Sequence, residues 1–408
     1  MLQGIRVVEF AEGVAGPLAA LRLGDLGAEI VKVETGTGDW MRGAAPCMAE
    51  SDVSADFFAL NRGKQALGLG AAPRLAAPLL LRLLAQADVF ITDRSEDELR
   101  ELGLGAVLDQ PWAENPGLVV ADVTVWGALG PWAGRPGSEL AVQAMAGYTR
   151  YLGSSSETPR RLGADVAGTG AAMFTVQAVL AALLWRRRGG TGQRVSTSML
   201  NALVSMKSIH LAAQSDPDRY AGPRVGGPYD PPERGWRTGD RPIFFAFGGS
   251  VGAEGRPGWT HFIEEVGLTA QLSGKGLDPT GRDCTGFGSR MHEMRPIYEA
   301  AFAAFTAGDL VQRIRKYGAI AAPYMHAGET MADPQITALG IMREVPCDLA
   351  GGTAKVTAFP ARFSRSRPEH RGIAPRFAEH GGALAAACGF STAEVAALQE
   401  QGGLALPG

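Results

Sequence analysis

Residues 5–34 read IRVVEFAEGVAGPLAALRLGDLGAEIVKVE, and this stretch decides the fold class. Its two ends, Ile5 to Phe10 and Glu29 to Glu34, are rich in β-branched and apolar residues. Between them, Pro17 to Leu26 has apolar residues at helical spacing behind a proline, which favours a helix start. The stretch therefore predicts a strand, a helix and a second strand, which together form a βαβ unit.

The alternation of strands and helices continues beyond this unit. Helix-prone Ala76 to Gln86 precedes a strand pattern at Asp88 to Thr92, and a further strand pattern covers Gly117 to Val125. A long helix rich in alanine and leucine is predicted from Ala167 to Arg188. Strands that alternate with helices favour a parallel sheet covered on both faces. We therefore expect an α/β domain.

A second, smaller α/β domain is predicted after residue 220. Ala221 to Asp240 is rich in proline and glycine, which is typical of a linker. A strand pattern at Pro242 to Gly248 and three helical patterns follow it. We predict a large domain formed by residues 1–220, a small domain with its linkers at 221–330, and a return to the large domain at 331–408.

Composition excludes several classes of protein. The chain has 408 residues, of which 46% are hydrophobic and 20% charged, so it contains ample apolar surface for a core. Its 39 basic and 42 acidic residues give a net charge of −3, which provides no basic footprint for nucleic acid. The apolar run Ala178 to Trp185 is shorter than the roughly 20 residues that span a bilayer, and we interpret it as part of a buried helix.

Cysteine and histidine spacing predicts neither a disulfide framework nor a metal site. The cysteines are far apart and form no CxxC pair, and the six histidines show no ligand spacing. The N-terminus enters a strand pattern without the features of a secretion signal, so we expect a cytoplasmic protein. The cysteines are Cys47, Cys284, Cys347 and Cys388.

Two glycine-containing motifs are candidate ligand-binding or catalytic sites. The turn Gly13 to Pro17 lies at a predicted helix start but lacks the GxGxxG fingerprint, so it is a candidate ligand cradle rather than a dinucleotide site. Gly248 to Gly252 matches GxSxG after a strand pattern, which leaves open a serine hydrolase that uses Ser250. Glycines and a proline interrupt the helix that should follow, so a simple glycine turn is favoured.

The segment Arg161 to Gly170 reads RLGADVAGTG and places Asp165 at the start of the longest apolar helix. By spacing, Asp165 is an N-cap whose side chain accepts from backbone N–H groups two or three residues further on. The functional alternative is an ionised, rigidly held carboxylate that acts as a nucleophile, with glycines that let a ligand approach.

Segments along nearly the whole chain make it resemble the family III CoA-transferases, the group that includes formyl-CoA:oxalate and carnitine CoA-transferases and α-methylacyl-CoA racemase. The block from Asp165 to Val195, which ends in GGTGQRV (189–195), is the most specific. The matching segments are LQGIRVVEF (2–10), GVAGP (13–17), LGAEIVKVE (26–34), FFALNRGKQALGL (57–69), ADVFITD (87–93), ELAVQAMAG (139–147), GADVAGTGAAMF (163–174), LAALLWRRRGGTGQRVSTSM (180–199) and DPQITALGIMREV (333–345).

The resemblance implies a Rossmann-like large domain, a smaller inserted domain and a homodimer of interlocked rings. It implies a CoA-transferase that exchanges coenzyme A between an acyl-CoA donor and a carboxylic acid acceptor, with no metal. Asp165 would be the nucleophile, through an aspartyl anhydride and an aspartyl-CoA thioester.

The resemblance also implies a set of CoA contacts. The arginines of this set are candidates for the CoA phosphates. The residues are Val14, Ala15, Arg42, Leu69, Gly70, Asp93, Arg94, Arg100, Arg135, Gly137, Ser138 and Glu139.

The chain departs from its relatives at several of these positions. Transferases often carry glutamine where Val14 stands, and tyrosine with an acid where Ser138 and Glu139 stand. The run of four glycines seen in the oxalate enzyme is absent, so oxalate is not expected as the acceptor. Racemases carry a His-Asp pair at Ser138 and Glu139, and serine cannot act as the base that racemisation needs. A racemase or isomerase is the alternative.

Overall fold

The structure is a computed structural model, and it describes residues 1–46, 53–109, 113–149, 158–216, 235–247, 257–280, 290–347, 352–369 and 372–407. The chain forms two compact units. The first comprises Met1–Thr149, Arg161–Ser208 and Thr337–Gly408, and the second comprises Arg150–Arg160 and Ile209–Ile336. The boundaries predicted at residues 220 and 330 thus lie near 208 and 336 in the structure.

A six-stranded parallel sheet forms the centre of the first unit, as the βαβ pattern predicted. The strand order is β3-β2-β1-β4-β5-β6, which is the order of a Rossmann-like sheet. The strands are β1 (Arg6–Phe10), β2 (Glu29–Glu34), β3 (Gln65–Gly68), β4 (Val89–Thr92), β5 (Val119–Thr124) and β6 (Arg194–Ser198).

Helices cover this sheet, and apolar residues from both layers form its core. The sequence explains their ends locally, since Ser95 and Glu98 form a capping box at the start of α4. The helices are α1 (Ala15–Asp25), α2 (Ala55–Asn61), α3 (Ala77–Ala85), α4 (Glu96–Glu101), α5 (Gly105–Asp109), α6 (Glu139–Met145), α7 (Val166–Arg187) and α8 (Met199–Met206), with α16 (Gly381–Ala387) and α17 (Thr392–Glu400) near the C-terminus. The 3-10 turns are Trp40–Gly43 and Pro73–Ala76.

An antiparallel pair, β9 (Met342–Cys347) and β10 (Gly352–Thr357), also belongs to the first unit. Two helices cross the boundaries between the units, namely α9 (Ser208–Gln214) and α15 (Pro334–Leu339).

The second unit has a small antiparallel sheet and an aromatic core. Strands β7 (Ile243–Ala246) and β8 (Ile320–Pro323) pair with each other, and the core includes Trp236, Trp259 and Phe302. Its helices are α10 (Pro257–Glu265), α11 (Thr269–Gly274), α12 (Met291–Phe302), α13 (Ala307–Lys316) and α14 (Ala327–Ala332).

Helix α7 has 22 residues and, among the described helices, is the one long and apolar enough to cross a membrane by length and composition. Half of its most apolar window is buried inside the protein. It packs against α1, α8 and strands β5 and β6, with small residues such as Ala171 and Ala172 fully buried. Helix α7 therefore occupies the position of a core helix, and its first turn lies at the carboxyl end of the parallel sheet.

Candidate active site

The turn that follows β1 lies at the carboxyl end of the sheet, where the strand order changes direction between β1 and β4. In open α/β sheets, ligands bind at this switch point. Two carboxylates hold the turn: the Glu12 N–H donates to Asp93 Oδ2 at 2.9 Å, and the Gly13 N–H donates to Asp39 Oδ1 at 3.2 Å. Asp93 follows β4 and Asp39 follows β2, so both neighbouring strands fix this turn.

Beneath the turn lies a buried ion network. Lys32 Nζ donates to Ala11 O at 2.8 Å, to Glu9 Oε1 at 2.9 Å and to Asp39 Oδ2 at 3.0 Å. Burial lowers the pKa of Lys32, but the carboxylates of Glu9, Asp39 and Glu34 outweigh burial and raise that pKa above its ordinary value. Lys32 is therefore a permanent cation that holds the backbone of the turn.

The start of α7 is capped by Glu139 and not by Asp165, contrary to the sequence prediction. Glu139 Oε1 accepts from the Ala167 N–H at 2.8 Å, and Oε2 accepts from the Gly168 N–H at 2.9 Å. Asp165 occupies the N-cap position, but its side chain makes no capping hydrogen bond. The N-cap prediction was wrong because a carboxylate on α6, remote in sequence, reaches these two N–H groups first.

Gln143, one turn further along α6, fixes the segment that leads into Asp165. Its buried side chain accepts from the Leu162 N–H at 3.1 Å and donates to Ala164 O at 3.2 Å. It also donates to Glu139 Oε1 at 2.8 Å. Helix α6 therefore sets the backbone on both sides of Asp165.

The carboxylate of Asp165 faces outward. Its Oδ1 accepts from Arg161 Nη2 at 2.8 Å, and the side chain is 42% exposed. Within the part of the chain that the structure describes, no hydrogen bond reaches Oδ2 of Asp165. The side chain thus combines a fixed backbone, a cationic neighbour and one oxygen that can react.

Two of the predicted CoA residues, Val14 and Glu139, meet at Gly168. A Cβ placed on Gly168 would lie 3.0 Å from Val14 Cβ and 3.6 Å from Glu139 Oε2. The first turn and helix α6 therefore converge on the first turn of α7, three residues after Asp165. A side chain at position 168 would crowd Val14, which would have to shift by a few tenths of an ångström.

The four arginines predicted to bind the CoA phosphates already have partners. Arg42 is buried, forms a bidentate pair with Glu34 at 2.8 and 2.7 Å, and lies over the Phe57 ring. This arrangement is a structural one, and it disfavours Arg42 as a phosphate ligand. Arg100 pairs with Asp109 on the surface.

Arg94 and Arg135 lie nearer to the carboxyl end of the sheet. Arg94 contacts the carboxylates of Glu12, Asp93 and Glu98. Arg135 lies over the Trp132 ring with 5.4 Å between the guanidinium carbon and the ring centroid. Asp93, which Arg94 contacts and which accepts from the Glu12 N–H, is a partly buried carboxyl group, and burial raises its pKa from 3.8 to about 6. The assignment of Arg94, Arg100 and Arg135 to CoA phosphates stays a prediction.

The remaining predicted CoA residues have mainly backbone roles in the structure. The Leu69 N–H donates to Glu34 O, and the Gly70 N–H donates to Gly403 O in the C-terminal segment. A Cβ on Gly137 would lie 2.5 Å from Val125 Cγ1, so only glycine fits there. Ser138 caps α6 by accepting from the Ala141 N–H, and Ala15 begins α1 beside Val14.

Sequence reasoning missed Asp39, Gln143, Lys32 and Trp40. Trp40 is 62% exposed and lies on Gly13, where a Cβ would be 3.3 Å from Trp40 Cζ2. An acidic residue before a 3-10 turn could have identified Asp39 as its cap. The other three carry no local signal, because their partners are remote in sequence.

The structure gives no support to a serine nucleophile at Ser250 or to a metal site among the described residues. Ser250 and the rest of its GxSxG motif lie outside the described residues. Among the described ranges, no group of three or more His, Cys, Asp or Glu side chains could hold a metal ion.

Comparison with known proteins shows the family of the chain. The family model "CoA-transferase family III" matches residues 2–381. A probable fatty acyl-CoA transferase of Mycobacterium tuberculosis is 28% identical over 93% of this chain and 96% of its own length. A succinate–glutarate CoA-transferase of Agrobacterium fabrum is also 28% identical, over 93% of each chain. A crystal structure of a CaiB/BaiF family protein from Brucella suis superposes with a TM-score of 0.81 at 25% identity, covering 95% of this chain and 99% of that one.

The chain therefore belongs to CoA-transferase family III. It is an enzyme that acts as a CoA-transferase, and CoA thioesters are its substrates.

Proposed function

We propose that the enzyme moves CoA from an acyl-CoA donor to a carboxylic acid acceptor, with Asp165 as the covalent nucleophile. The observation that carries this assignment is that Glu139 caps α7, which leaves the Asp165 carboxylate out of the cap and exposed. A carboxylate can attack a thioester only with a lone pair that is not already committed to the backbone. Asp165 satisfies this requirement at the carboxyl end of the sheet.

The proposed cycle consumes one CoA thioester and forms another, so no net hydrolysis occurs. An Asp165 oxygen attacks the carbonyl carbon of the donor, the C–S bond breaks, and a mixed anhydride and CoA thiolate form. The thiolate attacks the aspartyl carbonyl and expels the donor acid, which leaves an aspartyl-CoA thioester. The acceptor carboxylate attacks this thioester, and the thiolate released then attacks the acceptor carbonyl of the second anhydride. This last step frees Asp165 and the new acyl-CoA.

Two features support Asp165 in this role. Arg161 Nη2 donates to Asp165 Oδ1 at 2.8 Å, which places a cation beside the carboxylate where negative charge would develop on the departing thiolate. Gln143 and Glu139 hold the backbone on either side, so little orientational freedom has to be lost in the reaction.

A second assignment of the nucleophile is favoured by one observation. Val14 and Glu139 converge on Gly168, which has no side chain, and not on Asp165. If CoA lies between Val14 and Glu139, the thioester sits closest to a residue that cannot react. In that case the reacting carboxylate comes from another residue or another chain, and Asp165 only forms an exposed ion pair with Arg161.

The racemase alternative has less support. Glu139 accepts three hydrogen bonds, from Ala167, Gly168 and Gln143, and Ser138 accepts from the Ala141 N–H. Neither side chain is therefore placed as a free base, whereas racemisation needs bases on both faces of the α-carbon.

We also propose a cytoplasmic homodimer, as the family resemblance implies. Support comes from apolar side chains exposed on α6 and α8, namely Leu140, Met145, Val204 and Met206. Exposed apolar groups of this kind mark protein interfaces. Light scattering after size exclusion tests the dimer, since a monomer at micromolar concentration would contradict it.

The nucleophile is tested by CoA exchange between a labelled free acid and its CoA thioester, over a panel of acids. Asp165→Asn should abolish exchange and the hydroxylamine-trapped adduct on residue 165. The matched control is Glu293→Gln, which removes the charge of another exposed carboxylate paired with an arginine and should leave exchange unchanged.

Two results would contradict the proposal at different levels. Full exchange by Asp165→Asn would refute Asp165 and favour a nucleophile opposite Gly168. Deuterium entering the α-position of an acyl-CoA from solvent, without an acceptor acid and without CoA exchange, would favour the racemase alternative.

A further inference from the structure

Two lysines are buried side by side below the turn that follows β1. Lys32 and Lys64 have less than a twentieth of their surface exposed, and both bond to Glu9, which is fully buried. Neither has a role in the proposed reaction. Buried cations are costly to desolvate, so their placement calls for a structural reason beyond a hydrophobic core.

Lys64 bridges the two ends of the turn. Its Nζ donates to Glu9 Oε2 at 2.6 Å, at the end of β1, and to Pro17 O at 2.9 Å, in the first turn of α1. A third bond, at 2.8 Å, goes to Asn61 Oδ1 on α2. Val14, which is one of the predicted CoA contacts, lies between Glu9 and Pro17 in the chain.

We infer that Lys64 is a positioning residue for the CoA-binding turn, acting through Glu9 and the Pro17 carbonyl to fix where β1 ends and α1 begins. The inference rests on the proposed function insofar as CoA binds at this turn. Three acceptors surround the ammonium, and an ammonium has three N–H donors, so the charged form satisfies all of them. The neutral amine has two donors and leaves one acceptor without its bond.

The surroundings of Lys64 make this fit sensitive to pH. Burial lowers the pKa of Lys64 to about 8, Glu9 and Asp39 act in the opposite direction, and the neighbouring cation Lys32 lowers it further. The groups facing Lys64 are Glu9 from β1, the Pro17 carbonyl from α1, Lys32 from β2, Asp39 after β2 and Asn61 from α2. As pH rises through about 8, Lys64 loses its proton and the turn loses one of its anchors.

The test measures the dissociation constant of S-methyl-CoA, a thioether without a titrating thiol, at pH 7 and pH 9. For the wild-type protein we expect affinity to fall about tenfold at the higher pH, the effect of losing roughly one hydrogen bond to a charged group. Lys64→Met should bind about tenfold more weakly already at pH 7 and show no pH response.

The matched control is Arg62→Met, two residues away. Arg62 is also buried and cationic, but it donates to Asp25 at the far end of α1 and to the carbonyls of Ala59 and Thr357, none of which lies in the turn. This variant should lose stability while it keeps wild-type affinity and its pH response. If Arg62→Met weakened binding as Lys64→Met does, or if wild-type affinity did not change with pH, the inference would be wrong.

Hydrogen exchange of the backbone between Ala11 and Leu18 separates this inference from the proposed function. The amides of the turn should exchange faster in Lys64→Met than in Arg62→Met, whether or not CoA binds. Unchanged exchange in Lys64→Met overturns the positioning role. A wild-type protein with protected turn amides that does not bind S-methyl-CoA overturns CoA binding at this turn and leaves the positioning role standing.

Discussion

Replacement of Glu139 by alanine tests which carboxylate holds the start of α7. The change removes three hydrogen bonds to a charged acceptor, from Ala167, Gly168 and Gln143. Each such bond contributes about 1.5–3 kcal/mol when buried, and a helix cap about 1 kcal/mol. Glu139 is half-buried, so water replaces part of the loss, and we expect Glu139→Ala to lower the free energy of unfolding by about 2–4 kcal/mol.

The matched control is Asp165→Ala, which removes the carboxylate at the N-cap position itself. Because Asp165 makes only an exposed pair with Arg161, its loss should cost less than about 1 kcal/mol. Urea unfolding followed by circular dichroism measures both values, and hydrogen exchange at Ala167 and Gly168 reports the cap directly. A larger loss for Asp165→Ala than for Glu139→Ala would refute the assignment of the cap to Glu139.

Two further predictions concern the first unit. A Cβ on Gly70 would lie 2.3 Å from Gly402 O, so Gly70→Ala should lower the free energy of unfolding by about 1–3 kcal/mol. The control is Gly43→Ala, which should leave the free energy of unfolding unchanged because no atom lies within 4 Å of a Cβ at that position. Because burial raises the pKa of Asp93 from 3.8 to about 6, the folded state holds a proton that the unfolded chain has lost. The free energy of unfolding should therefore decrease as pH rises through this window, and Asp93→Asn should remove that slope. Wild-type and Asp93→Asn profiles of equal slope between pH 4 and pH 6 would contradict the second prediction.

The sheet could be predicted from the sequence because its strands carry their own signals. Ile5 to Phe10 and Glu29 to Glu34 are apolar runs separated by a helix of ordinary length, and only a parallel crossover accommodates them. In the structure β1 pairs in parallel with β2 and with β4, where Val7 lies opposite Ile30 and Val89. The capping box at Ser95 is also visible in the sequence, because Glu98 follows the serine by three residues.

The network around the site could not be predicted in the same way. Arg42 resembles a phosphate ligand in the sequence, but in the structure its guanidinium is bound to Glu34. Lys64 looks like a surface lysine until α2 brings it to Glu9, 55 residues earlier in the chain. Such contacts depend on the completed fold, and no local pattern specifies them.

The first turn of α7 separates two roles that a single aspartate at a helix start could have combined. A carboxylate that caps a helix has its lone pairs directed at backbone N–H groups, which lowers its nucleophilicity and holds it in place. Glu139 takes that role from a neighbouring helix, so Asp165 can keep its position without making those bonds. In the proposed cycle, the exposed oxygen of Asp165 would form and break a bond to an acyl group while Glu139 keeps the cap of α7, so the backbone at this point would not have to rearrange.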